Sequence, residues 1–268
     1  MGKGFAANLW ALDSPTFTYD HSLLVANTTG EITAPIGAYL IEHEKGLVLF
    51  DTHLDPNAVD DPAGTYGPIA EAFGLQFKPE EAIDAQVRAA GFEPSDVTHV
   101  VLSHVHFDHT GGLSRFPDAK VILGENEIAF SAWPTGNNQG FFRDVDLEPI
   151  RERERNLLEV PVGIDHDLFG DESIVMISTP GHSVGHFSLL VHLDGASFVL
   201  AGDATHSREA LEDEVICPSD VDTVAAVRSI KRLKLLRDRY DAPVLIGHDP
   251  RDRVDFALAP KSLGSQSR

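Results

Sequence analysis

Cations, cysteine and long apolar runs are what this chain has little of. Lys and Arg number 21 against 42 Asp and Glu, a formal charge of −21 over 268 residues. A surface so negative repels phosphate backbones and anionic lipid, so neither nucleic acid nor a membrane is expected as a partner. Acid-rich, lysine-poor surfaces also belong to proteins that stay soluble at high salt. A halophilic source is therefore an expectation, checked by stability that does not fall in molar salt. The single cysteine, Cys217, leaves no partner for an intramolecular disulfide and no thiolate cluster for a metal. No stretch approaches the roughly 18 uninterrupted apolar residues of a membrane span. Residues 1–12 carry one Lys and no long apolar run, so no secretory signal and a cytoplasmic location are expected.

What is present is an ordinary core-forming composition, 42% hydrophobic and 24% charged. Residues 38–43 and 47–52 flank Glu44-Lys45-Gly46 and read as a hairpin. Further strands are expected at 100–103, 120–123, 173–178, 187–193, 198–201 and 244–246, rich in Val, Ile, Leu and Phe. Alternation is weak in several, which predicts strands covered on both faces. Helical spacing predicts a helix over 79–90, with Ile83, Val87 and Ala90 on one face and Gly91 as a stop. A second is predicted over 220–240, with Val224, Val227, Ile230 and Leu233 inward, acidic at its start and basic at its end. Segments 54–78 and 132–169 read as irregular, and 261–268 as a frayed tail. Strands and helices come in two batches, which fits one domain over 1–268 with two sheets inside and helices outside.

The chemistry concentrates in Ser103-His104-Val105-His106-Phe107-Asp108-His109-Thr110-Gly111-Gly112, where an apolar strand opens into a loop. Imidazole nitrogen and carboxylate oxygen suit zinc or another borderline divalent metal. One ion does not need four ligands from one loop, so a pair of metals is the natural reading. Three more metal-competent residues stand just past apolar strands: His182 after Pro180-Gly181, Asp203 after Gly202, and His248 after Gly247. If these loops meet on one rim, His104, His106 and His182 hold one ion. Asp108, His109 and His248 then hold the other, with Asp203 bridging.

This set, His-x-His-x-Asp-His followed by Pro-Gly-His, Gly-Asp and Gly-His, resembles the metallo-β-lactamase superfamily from about residue 36 to 249. Within it the chain is similar to the N-acyl homoserine lactone lactonases, the quorum-quenching branch. Tyr19-Asp20-His21-Ser22, Phe107 and Thr179-Pro180-Gly181-His182-Ser183-Val184-Gly185-His186 carry that likeness, with Ser229-Ile230-Lys231-Arg232-Leu233 and Gly247-His248-Asp249. The resemblance implies an αββα sandwich of two mixed β-sheets flanked by helices, with a dinuclear metal site at one edge. It departs at His206, where lactonases of this branch usually carry a Tyr close to the substrate carbonyl.

Two metals sharing an oxygen lower the pKa of water between them and polarise an ester carbonyl, the chemistry of a lactone hydrolase. Asp108 would carry the proton to the leaving alkoxide, and His206 would support the oxyanion. Phe107, Phe141 and Phe142 would line an apolar slot for the acyl chain. His186 and His21 would orient ligands or satisfy backbone groups. Zinc is the first expectation, with cobalt, manganese and iron also compatible. A homodimer stays open. Other lactones or esters, pyridoxine-derived ones included, are the main alternative, beside a glyoxalase-II-like thioesterase. A β-lactamase is disfavoured because no Cys stands at the ligand positions.

Overall fold

The computed structural model describes residues 4–135, 138–152 and 156–264. Its strands are β1 Asn8–Ala11, β2 Thr16–Asp20, β3 Glu31–Pro35, β4 Tyr39–His43, β5 Gly46–Phe50, β6 Val97–Val101 and β7 Lys120–Gly124. They continue as β8 Leu157–Val160, β9 His166–Asp167, β10 Ile174–Ser178, β11 Phe187–Leu193, β12 Ala196–Leu200 and β13 Val244–Leu245. One sheet runs β1-β4-β5-β6-β7-β8 and the other β13-β12-β11-β10-β9, while β2 and β3 pair by themselves. Both large sheets are mixed: β5, β6, β7 and β8 pair in parallel and β1-β4-β5 antiparallel, while only β12-β13 is parallel in the second.

The sheets pack face to face. Ile41, Val48, Phe50, Val101 and Ile122 of the first interleave with Met176, Phe187, Leu189, Val191 and Leu200 of the second. Because side chains alternate along a strand, the neighbouring Leu40, Leu49, Val100 and Val121 point the other way. There they meet Ile83, Val87, Leu147 and Ile150 from the helices Ile83–Ala89 and Asp144–Arg151. Leu190 and Val199 of the second sheet meet Ile230 and Leu233 of the helix Thr223–Tyr240. The result is the αββα layering the resemblance implies. Every residue of β11 is buried, as the weak alternation anticipates.

Several expectations need correction. The helix over 79–90 breaks at Ala82 (φ −62°, ψ 138°) into a turn at Pro79–Glu81 and the helix Ile83–Ala89. Glu81 folds back to accept from the Lys78 amide at 2.9 Å, which closes the first turn on itself. The helix expected over 220–240 begins at Thr223, where Asp222 accepts from the Val224 and Ala225 amides. Val224 is exposed, and the buried stripe is Ala226, Ser229, Ile230 and Leu233. The helix comes close to the loop before His182 there: a Cβ on Gly181 would lie 2.4 Å from the Ala226 Cα, and Ser229 Oγ donates to the Pro180 carbonyl at 2.7 Å. Segment 54–78 holds three short proline-started helical turns, and 132–169 holds a helix and two strands. Residues 261–264 are anchored, the Leu263 amide donating to the Leu9 carbonyl at 2.7 Å, while 265–268 lie outside the described residues. Among the described residues no helix is long and apolar enough to cross a membrane.

Candidate metal centre

Four strands deliver their following residues to one rim. β6 of the first sheet runs into Ser103–His109, where a single turn of helix, Phe107–Thr110, carries Asp108 and His109. β10, β12 and β13 of the second sheet run into His182, Asp203 and His248. Gly202 precedes Asp203 at φ +55°, and a Cβ there would lie 2.8 Å from His186 Nε2. Gly37 and Gly247 touch so closely that a Cβ on Gly37 would lie 2.5 Å from the Gly247 Cα. That approach lets the Pro35 carbonyl accept from His248 Nδ1 at 2.7 Å.

The same device repeats at each histidine. His104 Nδ1 donates to Ser103 Oγ at 2.9 Å, and that hydroxyl donates to Asp51. His109 Nδ1 donates to Asp51 Oδ2 at 2.8 Å, His182 Nδ1 to Asp220 Oδ1 at 3.0 Å, and His106 Nε2 to Asn138 Oδ1 at 2.9 Å. An imidazole that gives its one proton outward keeps the other nitrogen bare. The five rings thus turn bare nitrogens toward one point, with His106 Nδ1 and His182 Nε2 3.2 Å apart.

Asp203 stands at that point and divides it. Its Oδ1 is 3.3 Å from both His109 Nε2 and His248 Nε2. Its Oδ2 is 3.4 Å from His182 Nε2, 3.9 Å from His104 Nε2 and 3.3 Å from His206 Nε2. Asp108 Oδ2 joins the first group, 3.8 Å from His109 Nε2 and 3.6 Å from His248 Nε2. His104, His106, His182 and Asp203 form one set able to hold an ion, and Asp108, His109 and His248 another. His104 Nε2, His109 Nε2 and Asp203 Oδ1 are buried and have no hydrogen-bond partner. Buried polar atoms are rarely left so; nitrogen and carboxylate donors aimed at a shared gap fit a pair of borderline divalent cations.

The electrostatics agree. Burial lowers the pKa of His104 and takes His106, His182 and His186 to about 3, keeping these rings neutral, the form in which imidazole binds a metal. Burial also works against charge on His109, yet Asp203, then Asp108 and Asp51, raise its pKa well above the ordinary value. Against its own desolvation, Asp203 is held well below the carboxylate range by His109, His248 and His206.

An apolar cavity opens beside the rim. Phe17, Tyr19, Leu23, Leu24, Phe73, Phe107 and Phe141 line it with Cys217, Pro218 and Ser219, and Asp108, Asp203, His206 and His248 form its floor. Among the described residues neither Lys nor Arg lines it. Phe142, expected in the slot, instead packs on the ring of His106 at 5.0 Å and on Phe130, behind the wall. His206 lies flat against His248, ring centres 5.5 Å apart. Burial pushes the Cys217 thiol up to about 12, so it stays protonated beside His182 and His206. His186 Nε2 accepts from the Asp203 amide at 3.0 Å and its Nδ1 donates to Thr179, so this ring positions Asp203. His21 makes no contact with the cluster among the described residues; its amide bonds Gly30.

Four supporting residues escaped the sequence reading. Asp51 was absorbed into the end of a strand, although an acid just past an apolar run is the signal that marked Asp203. Asp220 stands at the start of the helix expected over 220–240, where an acid reads as a helix start. Glu127, fully buried, accepts from the Val105 amide at 3.1 Å and the Gly185 amide at 2.6 Å, locking two histidine loops together. Asn138 sits in a stretch without periodicity and ties His106 to the Ser219 carbonyl, 2.6 Å from its Nδ2.

Comparison with known proteins comes to the same place. Residues 35–248 match the family model described as the metallo-beta-lactamase superfamily. The N-acyl homoserine lactonase AttM of Azorhizobium caulinodans is 32% identical over 229 residues, 84% of this chain and 86% of the relative. The N-acyl homoserine lactonase AiiA of Bacillus thuringiensis subsp. kurstaki is 30% identical over 248 residues, 91% of this chain and 94% of the relative. A solved N-acyl homoserine lactone hydrolase, with N-hexanoyl-L-homoserine bound at its catalytic metal centre, superposes with a TM-score of 0.81 at 26% identity. It covers 97% of this chain and 100% of its own.

Proposed function

The chain belongs to the metallo-β-lactamase superfamily, and from that premise we propose that it is a metal-dependent hydrolase that opens the lactone ring of N-acyl homoserine lactones. The observation that carries the reading is the division of Asp203, one oxygen turned to His109 and His248 and the other to His182 and His104. That arrangement suits a carboxylate shared between two cations, most readily zinc. Cations bound there supply acidified water and an electrophile for a carbonyl. Similarity to the AttM and AiiA lactonases supports the substrate class.

The chain's own residues supply the rest. Asp108 is the cluster carboxylate most open to the cavity, its side chain 13% exposed against 5% for Asp203. It would take the proton released by the attacking water and return it to the alkoxide as the ring opens. His206, beside Asp203 in the floor, donates a ring N–H toward the carbonyl oxygen where charge develops. The aromatic wall excludes water and holds an acyl chain. Among the described residues the lining holds no Lys or Arg, which disfavours a glutathione thioester, whose carboxylates need cationic partners.

The test is to count metals per chain and follow acid release from a homoserine lactone panel, a thioester and a β-lactam. Two ions and lactone turnover exceeding the other two substrates are expected. Fastest turnover of the thioester or the β-lactam refutes the substrate class, and a protein binding no divalent metal refutes the site.

A further inference from the structure

Tyr19 is the cavity's unspent hydrogen-bonding group. It projects from β2 with Phe17, on the face opposite Thr18, and is 6% exposed. Its ring meets Phe73 edge-on at 5.4 Å and Phe17 at 6.0 Å. The hydroxyl has no hydrogen-bond partner among the described residues, yet its oxygen is not sealed off, so it opens to the cavity that the ring lines. Other polar groups around that cavity are engaged: His182 with Asp220, His248 with the Pro35 carbonyl and Ser219 Oγ with Cys217 Sγ at 3.0 Å, while Asp108 and His206 serve the reacting ring.

Position gives the phenol a purpose. It lines the same cavity as Asp108 and Asp203 on one side and Phe17, Phe73, Phe107 and Phe141 on the other, and it hydrogen-bonds to neither carboxylate. An N-acyl homoserine lactone has the same order: ring carbonyl, then amide, then apolar chain. We propose that the Tyr19 hydroxyl donates a hydrogen bond to the amide carbonyl of the substrate and so selects lactones bearing an acylamino group over bare alkyl lactones. This rests on the lactonase reading above and adds the residue that reads the amide. The phenol is well suited to donate. Burial, and then Asp108 and Asp203, raise its pKa well above the ordinary value, so it keeps its proton throughout the working range.

Tyr19→Phe keeps the ring and removes the donor. The metal-loaded parent and variant are compared on N-hexanoyl homoserine lactone and on an α-alkyl-γ-butyrolactone of equal length. Binding of the ring-opened product N-hexanoyl homoserine is measured by calorimetry. The ratio of kcat/KM values, acylamino over alkyl lactone, is expected to fall about 3- to 15-fold, mostly through KM, the worth of one neutral hydrogen bond. Product binding weakens by a similar factor. An unchanged ratio, whether both rates fall or neither does, overturns the role of Tyr19 while leaving the lactonase reading intact. A parent enzyme that opens the alkyl lactone and spares the acylamino one overturns the substrate class, and one that opens neither overturns the lactonase reading, each taking this role with it.

Discussion

Asp51→Asn tests whether the outward hydrogen bonds of the histidines hold the metal centre together. Asp51 accepts three protons: the Ser103 amide on Oδ1 at 2.7 Å, and the Ser103 hydroxyl and His109 Nδ1 on Oδ2, each at 2.8 Å. Its φ of +61° is one asparagine adopts readily, so backbone strain does not enter. An amide in place of the carboxylate has one acceptor atom. If its oxygen stays toward His109, its NH2 faces the Ser103 amide, donor against donor. If it flips, His109 is driven to the other tautomer, with the proton on Nε2, the nitrogen that faces Asp203. Either outcome leaves a buried donor unsatisfied, at a cost of about 1–3 kcal/mol. The first appears as lower stability and the second as about 5- to 150-fold weaker binding of the ion beside His109, a range that spans what lost ligand-orienting partners usually cost. Competition against a chromogenic chelator reads the affinity, and thermal unfolding of the metal-free protein reads the stability. A variant that binds two ions at the parent's affinity, and melts with the parent when stripped, refutes the reasoning.

Asp203→Ala is expected to release both ions, since each set leans on one of its oxygens; retention of one ion at full occupancy, by elemental analysis, contradicts a shared ligand. His206→Ala is expected to keep both ions and lose about 100-fold in kcat, the usual worth of one donor at a developing oxyanion; turnover at the parent rate removes His206 from the mechanism. Far from the centre, burial raises the Asp171 pKa, but the Ser173 hydroxyl and amide, Lys45 and His43 outweigh it and hold the carboxyl at about 2 against an ordinary 3.8. A depressed carboxylate stabilises above its unfolded value and ceases to as pH falls through the folded one. Urea unfolding should therefore show stability declining between pH 4 and 2, and Asp171→Asn should flatten that interval; an unaltered slope rules the contribution out.

The metal-competent side chains were legible because they stand just past apolar strands, four of them crowded into residues 104–109 and His182, Asp203 and His248 each preceded by glycine, a pattern independent of knowing how the strands pair. The strands of both sheet centres were legible because they are rich in Val, Ile, Leu and Phe. β1, β2 and β3 were not. They are short, and Thr16, Thr18, Glu31 and Thr33 give them a polar cast; their pairing with distant partners, Trp10 with Leu40 for instance, decides their state. Tyr19 was noticed as part of a motif, but its face toward the cavity follows from the β2-β3 register. Phe142 illustrates the opposite failure. Two adjacent aromatics look equivalent in sequence, yet Phe141 faces the cavity and Phe142 turns back to His106. Asn138 and Glu127 gain meaning only from what they touch.

The rim draws its donors from both layers, three histidines and Asp108 from the loop after β6 and the remainder from the loops after β10, β12 and β13. Cations seated there act as rivets through two plates. Each ion at 100 times its dissociation constant adds about 2.7 kcal/mol to the folded state, provided the unfolded chain does not bind it. Chelation would accordingly loosen the seam between the plates as well as silence the chemistry, tying the lifetime of the folded enzyme to the supply of divalent metal around it.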